Sequence, residues 1–352
     1  MKDILGLTKC ELSEVIAGYG ERSFRTKQIF TWLHAKGVKS FDEMTDISKS
    51  LRERLGEEYY IGSCVVDTVQ RSASDGTEKY LYRLSDGNLI EGVFMRYREW
   101  NTACISSQVG RAMGCRFCAS TVDGCIRDMS AGEMAEEIYA MEERTGARIS
   151  NVVVMGSGEP LINYEGLMGF IDIITDEDGR NISQRNITVS TCGIVPAIER
   201  LAGEKLQINL AISLHAPNDE KRREMMPIAQ KYTIKELMEA VRHYYDVTHR
   251  RLTFEYALSE GQNDTDADAS ELAALLKGMN AIVNLIPVNP VAESSFKRPG
   301  RESCVSFKNK LVNFGINVTI RRELGTDIDG ACGQLRMKAS SGRRYDKDLF
   351  ND

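Results

Sequence analysis

From about residue 100 onward, short apolar runs alternate with longer amphipathic stretches. Such alternation is typical of parallel βα units, because each helix returns the chain to the edge of the sheet where the next strand begins. The candidate strands are residues 103–106, 151–155, 186–190, 207–213, 253–257, 282–286 and 317–320. Helical patterns between them include residues 131–145, 194–203 and 234–247. This number of units favours an α/β fold with a partial or full (β/α) barrel, in which chemistry lies at the C-terminal ends of the strands.

Two smaller regions precede this barrel. Residues 1–60 are polar and helical in pattern, and Ile29, Trp32 and Leu33 fall on one face of a predicted helix. Residues 61–100 contain three strand-like runs separated by Asp-Gly pairs, which are typical of hairpin turns. We therefore predict an N-terminal helical accessory domain over 1–60, a small antiparallel β meander over 61–100, a barrel core over 101–335 and a polar tail over 336–352. The helical domain is a candidate for RNA binding, although a packed helix without a partner explains its pattern equally well.

The composition excludes some classes of protein. Hydrophobic residues make up 42% of the 352-residue chain, which is enough for a sizeable core and argues against disorder. No apolar run reaches the length of about 18 residues that a membrane span needs. The chain does not begin with a signal-peptide pattern, so we expect a cytoplasmic protein with no membrane partner.

The net charge of −6 argues against a surface coated in basic charge for nucleic acid. Local basic clusters nevertheless occur at residues 221–223, 249–251, 297–301 and 321–322. Each of them alone is typical of a solvated surface. Together, at loop positions, they could follow an RNA backbone.

Nine cysteines, an odd number, are spread unevenly along the chain. In a cytoplasmic protein this favours metal or thiol chemistry over a disulfide framework. Cys115 and Cys118 form a C-x-x-C pair in a loop after the strand at 103–106. Such a pair is compatible with half a zinc site, a redox dithiol or part of an iron–sulfur loop. Zinc is the least favoured, because the four histidines of the chain do not complete a zinc-binding pattern.

The residues around this pair are the most specific signal in the sequence. Residues 104–108 read Cys-Ile-Ser-Ser-Gln, and Arg111 follows before Cys115 and Cys118. This stretch resembles the cluster loop of the RlmN-type radical-SAM methyltransferases, which methylate carbon 2 of an adenosine in ribosomal RNA and in some transfer RNAs. The family's loop reads C-x-x-x-C-x-x-C and is preceded by a further cysteine. The resemblance extends over residues 100–335 and implies a 4Fe–4S cluster with S-adenosylmethionine (SAM) at its open iron.

In that family three loop thiolates hold the cluster. The resemblance therefore implies Cys115 and Cys118 as metal ligands, and it puts Arg111 where the first ligand is expected. A guanidinium group is cationic and has no lone pair to donate, so Arg111 cannot bind iron. A cluster held by two protein thiolates would be labile. Cys125 is a candidate for the missing ligand, although a passive thiol is the more common case at such a position.

Further motifs resemble the SAM-binding positions of the family. Gly-Ser-Gly-Glu-Pro at 156–160 is similar to the family's Gly-Glu-Pro motif and implies that Gly158 and Glu159 bind SAM. The other implied SAM contacts follow predicted strands and are Ser190, Ser213, Leu214, His215 and Asn289. Taken singly, a helix cap, a buried histidine or a turn residue would explain these positions as well, but their joint order favours a SAM site. Pro160 favours carbon-2 methylation over the carbon-8 methylation of Cfr-type relatives.

The sequence Ala-Cys-Gly-Gln-Leu at 331–335 is similar to the family's methyl-carrying segment. The resemblance implies that Cys332 accepts a methyl group from one SAM, and that a radical made from a second SAM activates this methyl for addition to carbon 2. It also implies that Cys104 resolves the protein–RNA adduct by forming a disulfide with Cys332, and that Glu91 accepts the proton. Carbon 2 of adenine is electron-poor and does not attack SAM itself, so the cofactors supply the difficult chemistry. The implied partners are ribosomal RNA, transfer RNA as a second substrate, and an electron donor such as flavodoxin or ferredoxin.

Two hypotheses of function follow. The chain is a methyltransferase of this type, or it is an impaired paralogue that binds RNA or SAM without methylating because Arg111 cannot bind the cluster. Cys104, Cys332 and Glu91 all match the family's residue types, which favours at most a recent loss. A zinc or thiol-redox protein would explain only the C-x-x-C pair.

Overall fold

The computed structural model describes residues 1–117, 124–288, 296–329, 333, 335–337 and 339. Cys118, Asn289 and Cys332, each predicted as a site residue, lie outside these ranges, as does most of the predicted polar tail. Within the ranges, every helix is too short or too polar to cross a lipid bilayer.

The first part of the chain folds into a small helical module. Its elements are β1 (Lys2–Asp3), α1 (Lys9–Gly18), α2 (Phe24–Phe30), α3 (Lys49–Glu58) and β2 (Tyr59–Tyr60), with a π-helical turn at Thr31–Lys36 that extends α2. Ile29 and Leu33 are buried as the helical pattern predicts. Trp32 lies at the edge of this core and donates its indole N–H to Asp46 (2.5 Å).

The remaining strands are β3 (Val65–Arg71), β4 (Glu78–Arg83), β5 (Leu89–Arg96), β6 (Asn101–Ile105), β7 (Gln108–Gly110), β8 (Cys125–Asp128), β9 (Asn151–Val154), β10 (Ile187–Thr191), β11 (Asn209–Ser213), β12 (Leu252–Leu258), β13 (Ala281–Pro287) and β14 (Asn317–Ile320). Ten of them form one sheet in the order β14-β13-β12-β11-β10-β9-β6-β5-β4-β3. Neighbours from β6 to β14 are parallel, whereas those from β3 to β6 are antiparallel. The predicted α/β fold is confirmed as a partial barrel that the meander extends at one edge. The strands β7 and β8 pair separately as a hairpin.

Helices cover the parallel part of the sheet. They are α4 (Ala131–Thr145), α5 (Tyr164–Thr175), α6 (Val195–Gly203), α7 (Asp219–Met225), α8 (Ile234–Thr248), α9 (Asp266–Leu276) and α10 (Arg301–Asn313). The sequence pattern predicts α4, α6 and α8 to within one residue at each end. Local signals explain this agreement for α4: Ser130 and Glu133 form a capping box at its start, and Gly146 ends it in the left-handed conformation (φ 62°).

Polar contacts fasten the helical module to α4 and to the end of α5. The Lys9 ammonium binds the carboxylates of Asp176 (3.1 Å) and Asp178 (2.5 Å). On α4, the Tyr139 hydroxyl lies 2.9 Å from Nδ1 of the fully buried His34. The module therefore packs on the helical face of the barrel, against α4 and the turn after α5.

Candidate active site

The C-terminal ends of the parallel strands meet at one edge of the sheet, where the loops that follow them pack together. The glycine loop after β9 touches the loop after β6 so closely that side chains are excluded. A Cβ atom on Gly158 would lie 2.6 Å from the backbone N of Gln108 and 2.6 Å from Oγ of Ser107. The φ of +104° at Gly158 is also a conformation that L side chains rarely adopt. Only glycine fits this position.

Glu159 braces two of these loops. The residue is fully buried, and its carboxylate accepts the N–H groups of Cys192 (2.8 Å) and Leu161 (3.3 Å). Its own N–H donates to the side-chain oxygen of Gln108 (2.9 Å). Glu159, predicted as a SAM contact, is thus a residue whose side chain fixes the end of β10 against the glycine loop.

The predicted SAM contacts at the C-terminal ends of β10 and β11 lie side by side. The hydroxyl oxygens of Ser190 and Ser213 are 3.5 Å apart. Leu214 follows at a fully buried position, and its N–H donates to the carbonyl of Glu255 on β12 (3.1 Å). The parallel register of the strands therefore brings these three residues to one place, as their positions after the strands predict.

His215 is held as a neutral imidazole. Its backbone is left-handed (φ 60°), and its Nδ1 accepts the N–H of Ala257 (2.9 Å), so the proton is on Nε2. Burial, with the positive charges of Arg222 and Arg111, lowers the pKa of His215 to about 3. The ring can therefore donate one hydrogen bond to a ligand but carries no charge near neutral pH.

Arg222 is a site residue that the sequence did not reveal. It belongs to the basic cluster at 221–223, whose pattern predicts a solvated surface or an RNA contact, yet it is fully buried. It donates from Nη2 to the carbonyl of Cys192 (2.7 Å) and from Nε to that of Leu214 (3.2 Å). Its Nη1 has no hydrogen-bond partner among the described residues. A buried guanidinium with one unused donor is the arrangement that a carboxylate ligand completes.

The loop after β7 carries Arg111 and Cys115. The N–H of Arg111 donates to the carbonyl of Gly124 (2.8 Å), which ties the start of the loop to the β7–β8 hairpin. Cys115 is buried in an apolar cluster together with Cys192. Burial raises the pKa of the Cys192 thiol well above its usual range, and the charge of Arg111 acts in the opposite direction. The Nε atom of Arg111 is buried, and its charge also contributes to the lowered pKa of His215, so the guanidinium lies close to both side chains.

A second group of predicted residues lies on the meander. Glu91 on β5 is 3% exposed and Lys79 on β4 is 1% exposed, and their charged groups are 2.8 Å apart. The same carboxylate accepts the backbone N–H of Gly333 at one oxygen and that of Arg336 at the other, both at 2.6 Å. Arg336, assigned by the sequence to the polar tail, is buried and continues the docked segment.

Cys104 lies on the same face of the sheet as Glu91. It pairs with Val93, which is two residues along β5 from Glu91, and side chains two apart on a strand share a face. Cys104 is buried in an apolar cluster with Val93 and Met95, against which Leu324 packs. The two catalytic residues predicted within the described ranges, Cys104 and Glu91, are therefore neighbours on one surface that the C-terminal segment covers.

Residues 324–329 dock on the hairpin between β3 and β4. The carboxylate of Asp327 accepts hydrogen bonds from the hydroxyl of Ser72 (2.6 Å) and the N–H of Ala73 (2.8 Å). Gln70 exchanges two hydrogen bonds with Asp329, both at 2.9 Å. The meander is thus the platform on which the chain on both sides of Cys332 is seated.

Comparisons with known proteins identify the family. Residues 2–61 match the ribosomal RNA large subunit methyltransferase N-terminal domain, and residues 105–273 match the radical SAM superfamily. A probable dual-specificity RNA methyltransferase RlmN of Lachnospira eligens is 56% identical over 338 residues, covering 96% of this chain and 97% of the relative. The protein of the same name from Alkaliphilus oremlandii is 56% identical over 336 residues, covering 96% and 98%. The chain belongs to the RlmN family of radical-SAM RNA methyltransferases.

A solved structure extends this result to the fold. A radical SAM methyltransferase from Sphaerobacter thermophilus is 42% identical, with a TM-score of 0.90 over 95% of this chain and 99% of that chain. The RlmN family membership implies a 4Fe–4S cluster and SAM as cofactors. The described residues are compatible with SAM, because Arg222 is a buried cation whose Nη1 has no hydrogen-bond partner among them and the carboxylate of SAM is an anion.

The donor set for the cluster does not fit. Membership in the RlmN family implies three thiolates, whereas the sequence supplies Cys115, Cys118 and the cation Arg111. The described ranges contain no group of three or more candidate metal ligands. Cys125, the candidate replacement, pairs through its backbone with Gly110 in the β7–β8 hairpin and is absent from the cluster around Cys115.

Cys192 shares that buried cluster instead. The sequence does not mark Cys192, Lys79 and Arg222 as site residues, because each residue type is common in its local context. A thiol after a strand, a lysine in a strand and an arginine in a basic run acquire a role only from the partners that the fold supplies.

Proposed function

We propose that this RNA methyltransferase methylates carbon 2 of an adenosine in ribosomal RNA, with transfer RNA as a second substrate, through a methyl group carried on Cys332. The observation that supports this most directly is the common face shared by Cys104 and Glu91, covered by the segment that follows Cys332. A methyl carrier, a second thiol and a carboxylate are the three groups that this chemistry requires of the protein.

The proposed roles follow from bond accounting. The Cys332 thiolate attacks the methyl carbon of SAM, so a sulfur–carbon bond forms and S-adenosylhomocysteine leaves. When carbon 2 has acquired the methyl carbon, Glu91 takes the proton that this carbon loses. The Cys104 thiolate then attacks the sulfur of Cys332 to form a disulfide, and the electron pair of the broken sulfur–carbon bond goes to the methylene carbon, which takes up a proton to become the methyl group of the released adenine.

SAM is proposed to bind at the strand ends, against Gly158, Ser190, Ser213, Leu214 and His215, with Asn289 as a further contact. Arg222 would bind its carboxylate through Nη1. Glu159 would act through the backbone of the glycine loop, since its carboxylate already accepts two N–H groups. Bound SAM supplies the methyl group.

Exposed basic residues support an RNA path at the same edge of the sheet. Lys297 lies in the connection after β13, and Arg321 and Arg322 follow β14 directly, so they flank the strand ends. Residues 249–251 precede β12 and therefore lie at the opposite edge. A flavodoxin or ferredoxin remains the expected electron donor.

Arg111 favours a second candidate function, that of a paralogue that binds SAM and RNA without methylating. Its guanidinium occupies the place of a thiolate ligand and is not a donor to iron. In such a paralogue Cys104, Glu91 and the SAM site would be intact but would not take part in methylation.

One experiment separates the two candidates. The chain, its Arg111→Cys variant and its Arg111→Ala variant are reconstituted anaerobically with iron and sulfide under identical conditions. Bound iron and sulfide, SAM cleavage and methylated nucleosides from a ribosomal RNA fragment are then measured. The Ala variant removes the charge without adding a thiol, so it distinguishes the effect of the missing thiolate ligand from the effect of the positive charge of Arg111.

We expect the Cys variant to hold a full cluster and to produce 2-methyladenosine. If the unmodified chain does neither, it is the impaired form. If the unmodified chain does both, Cys192→Ala and Cys125→Ala variants identify its third ligand. The product 8-methyladenosine, or methylation that survives Cys332→Ala, would overturn the proposed carbon-2 mechanism.

A further inference from the structure

The buried pair Lys79–Glu91 has an unusual set of partners. Removing two charges from water is costly, and a buried ion pair by itself often contributes nothing net to stability. Here the carboxylate also binds the N–H groups of Gly333 and Arg336, which lie one and four positions after Cys332. Charge-assisted hydrogen bonds of this kind are stronger than those to a neutral acceptor.

These contacts act at a particular part of the docked segment. Asp327 and Asp329 hold the stretch before Cys332 on the β3–β4 hairpin. After Cys332, Glu91 binds the backbone N–H groups of Gly333 and Arg336 to the meander, and Leu335 packs on Leu81. The N–H of Met337 donates to the carbonyl of Gly333 (3.0 Å), so the two amides that Glu91 binds belong to one helical turn.

We propose that Lys79 and Glu91 form a clasp that fastens the turn after Cys332 to the meander, and that a proton on Glu91 opens it. This coupling rests on the proposed function, in which Glu91 takes the proton from carbon 2. That proton binds a carboxylate oxygen of Glu91, while the electron pair of the broken C–H bond stays on the adenine. The neutral acid then offers both amides a weaker acceptor, and Lys79 loses its counter-charge. Acceptance of the proton and release of the Cys332 segment are thus one event, and Lys79 is a positioning residue for both.

The clasp is tested by amide hydrogen exchange of the full-length protein, which needs neither cluster nor RNA. Glu91→Gln mimics the protonated acid at nearly the same size, and Lys79→Met removes the cation. Asp67→Asn is the matched control, because it breaks an ion pair with Arg83 between β3 and β4, at the end of these strands opposite the turn on which residues 324–329 dock. Exchange in the peptide spanning residues 333–337 is compared with exchange in α8, which reports global stability.

We expect Glu91→Gln to speed exchange at 333–337 by about tenfold or more, the size of a lost charged hydrogen bond. Exchange in α8 should change much less, and the control should leave both peptides unchanged. Lys79→Met should act in the same direction, with Lys79→Arg partly restoring protection because it keeps the charge. Alkylation of Cys332 by iodoacetamide, measured by mass spectrometry, should accelerate in parallel.

Unchanged exchange and alkylation in Glu91→Gln would overturn the clasp. Equal acceleration in α8 would mean that the pair stabilises the whole fold and not the segment, which also overturns it. If Glu91→Gln fails to fold, Lys79→Met carries the same comparison, with Lys79→Arg as its charge-retaining control. Failure of the proposed function appears separately, as absence of methylated adenosine in the Arg111→Cys protein whose exchange pattern is intact.

Discussion

Arg222 donates from Nη2 to the carbonyl of Cys192 at 2.7 Å, so a buried cation ties α7 to the residue that follows β10. Nothing acidic among the described residues forms an ion pair with it, and Nη1 has no partner there. An uncompensated charge in such a position is costly unless a ligand neutralises it. We therefore infer that Nη1 of Arg222 binds an anionic group of the ligand beside Ser213 and Leu214.

This arrangement predicts that Arg222→Met weakens SAM binding. The loss of a charged hydrogen bond is worth roughly 1.5–3 kcal/mol, which corresponds to about a tenfold or larger rise in the dissociation constant. Equilibrium dialysis with labelled SAM, using the Arg111→Cys protein, measures it. Arg223→Met, an exposed neighbour on the same helix, is the matched control and should bind SAM normally. Equal affinity in the two variants would remove Arg222 from the site.

The glycine loop predicts a second effect. In Gly158→Ala the new methyl would lie 2.6 Å from the backbone N of Gln108, and the φ of +104° would be strained as well. The loop after β9 must then move, so we expect SAM affinity to fall about tenfold or more, at a cost of about 1–3 kcal/mol in stability. Gly203→Ala at the end of α6 meets no atom within 4 Å and should be neutral or slightly stabilising. Equilibrium dialysis measures the SAM affinity of both variants, and thermal melting measures their stability.

Much of the fold is predictable because its causes are local. The period of the apolar pattern predicts the parallel strands, and Ser130, Glu133 and Gly146 mark the ends of α4 where the sequence says they should. The docking of the Cys332 segment is different in kind. Gln70 meets Asp329 across 259 positions in sequence, and Glu91 meets Gly333 across 242, so no local pattern announces either contact. The same limit hides Arg222, whose basic neighbours suggest a surface.

Resemblance to a family supplied the identities of the site residues, and packing supplied their partners. Cys104 and Glu91 are named by their place in a motif, but only the sheet register puts them on one face. The sequence also assigned Arg336 to a loose tail, because a charged residue near a chain end is usually solvated. Its backbone N–H is instead held by a carboxylate, which a polarity pattern cannot express.

His34 predicts a pH dependence of stability. Burial, with the charge of Arg180, lowers the pKa of His34 to about 3, whereas the unfolded chain has a histidine pKa near 6.5. The unfolded state therefore binds the proton first, and stability is complete above about pH 6.5 and falls as the pH drops from there toward 3. At pH 5 the loss is about 2 kcal/mol for this one group.

We expect His34→Gln to remove that loss. Between pH 7.5 and pH 5, the free energy of unfolding in urea should fall by about 2 kcal/mol more in the parent than in the variant. Tyr139→Phe deletes the hydroxyl that lies 2.9 Å from Nδ1 but keeps the imidazole, so its pH profile should resemble that of the parent. A difference that stays constant between the two pH values would contradict the prediction.

The basic residues at the strand ends predict where RNA binds. Arg321 and Arg322 are exposed directly after β14, whereas Arg251 is exposed before β12 at the opposite edge. Neutralising phosphate contacts weakens binding and flattens its salt dependence, because each contact releases counterions. Changing both Arg321 and Arg322 to Ala should therefore weaken binding of a ribosomal RNA fragment several-fold and lower the slope of log affinity against log salt by about 1–2. Arg251→Ala should leave both quantities unchanged, and SAM affinity should be the same in all three proteins. Equal losses from the two edges would mean that RNA is held by the overall surface charge and not at the site.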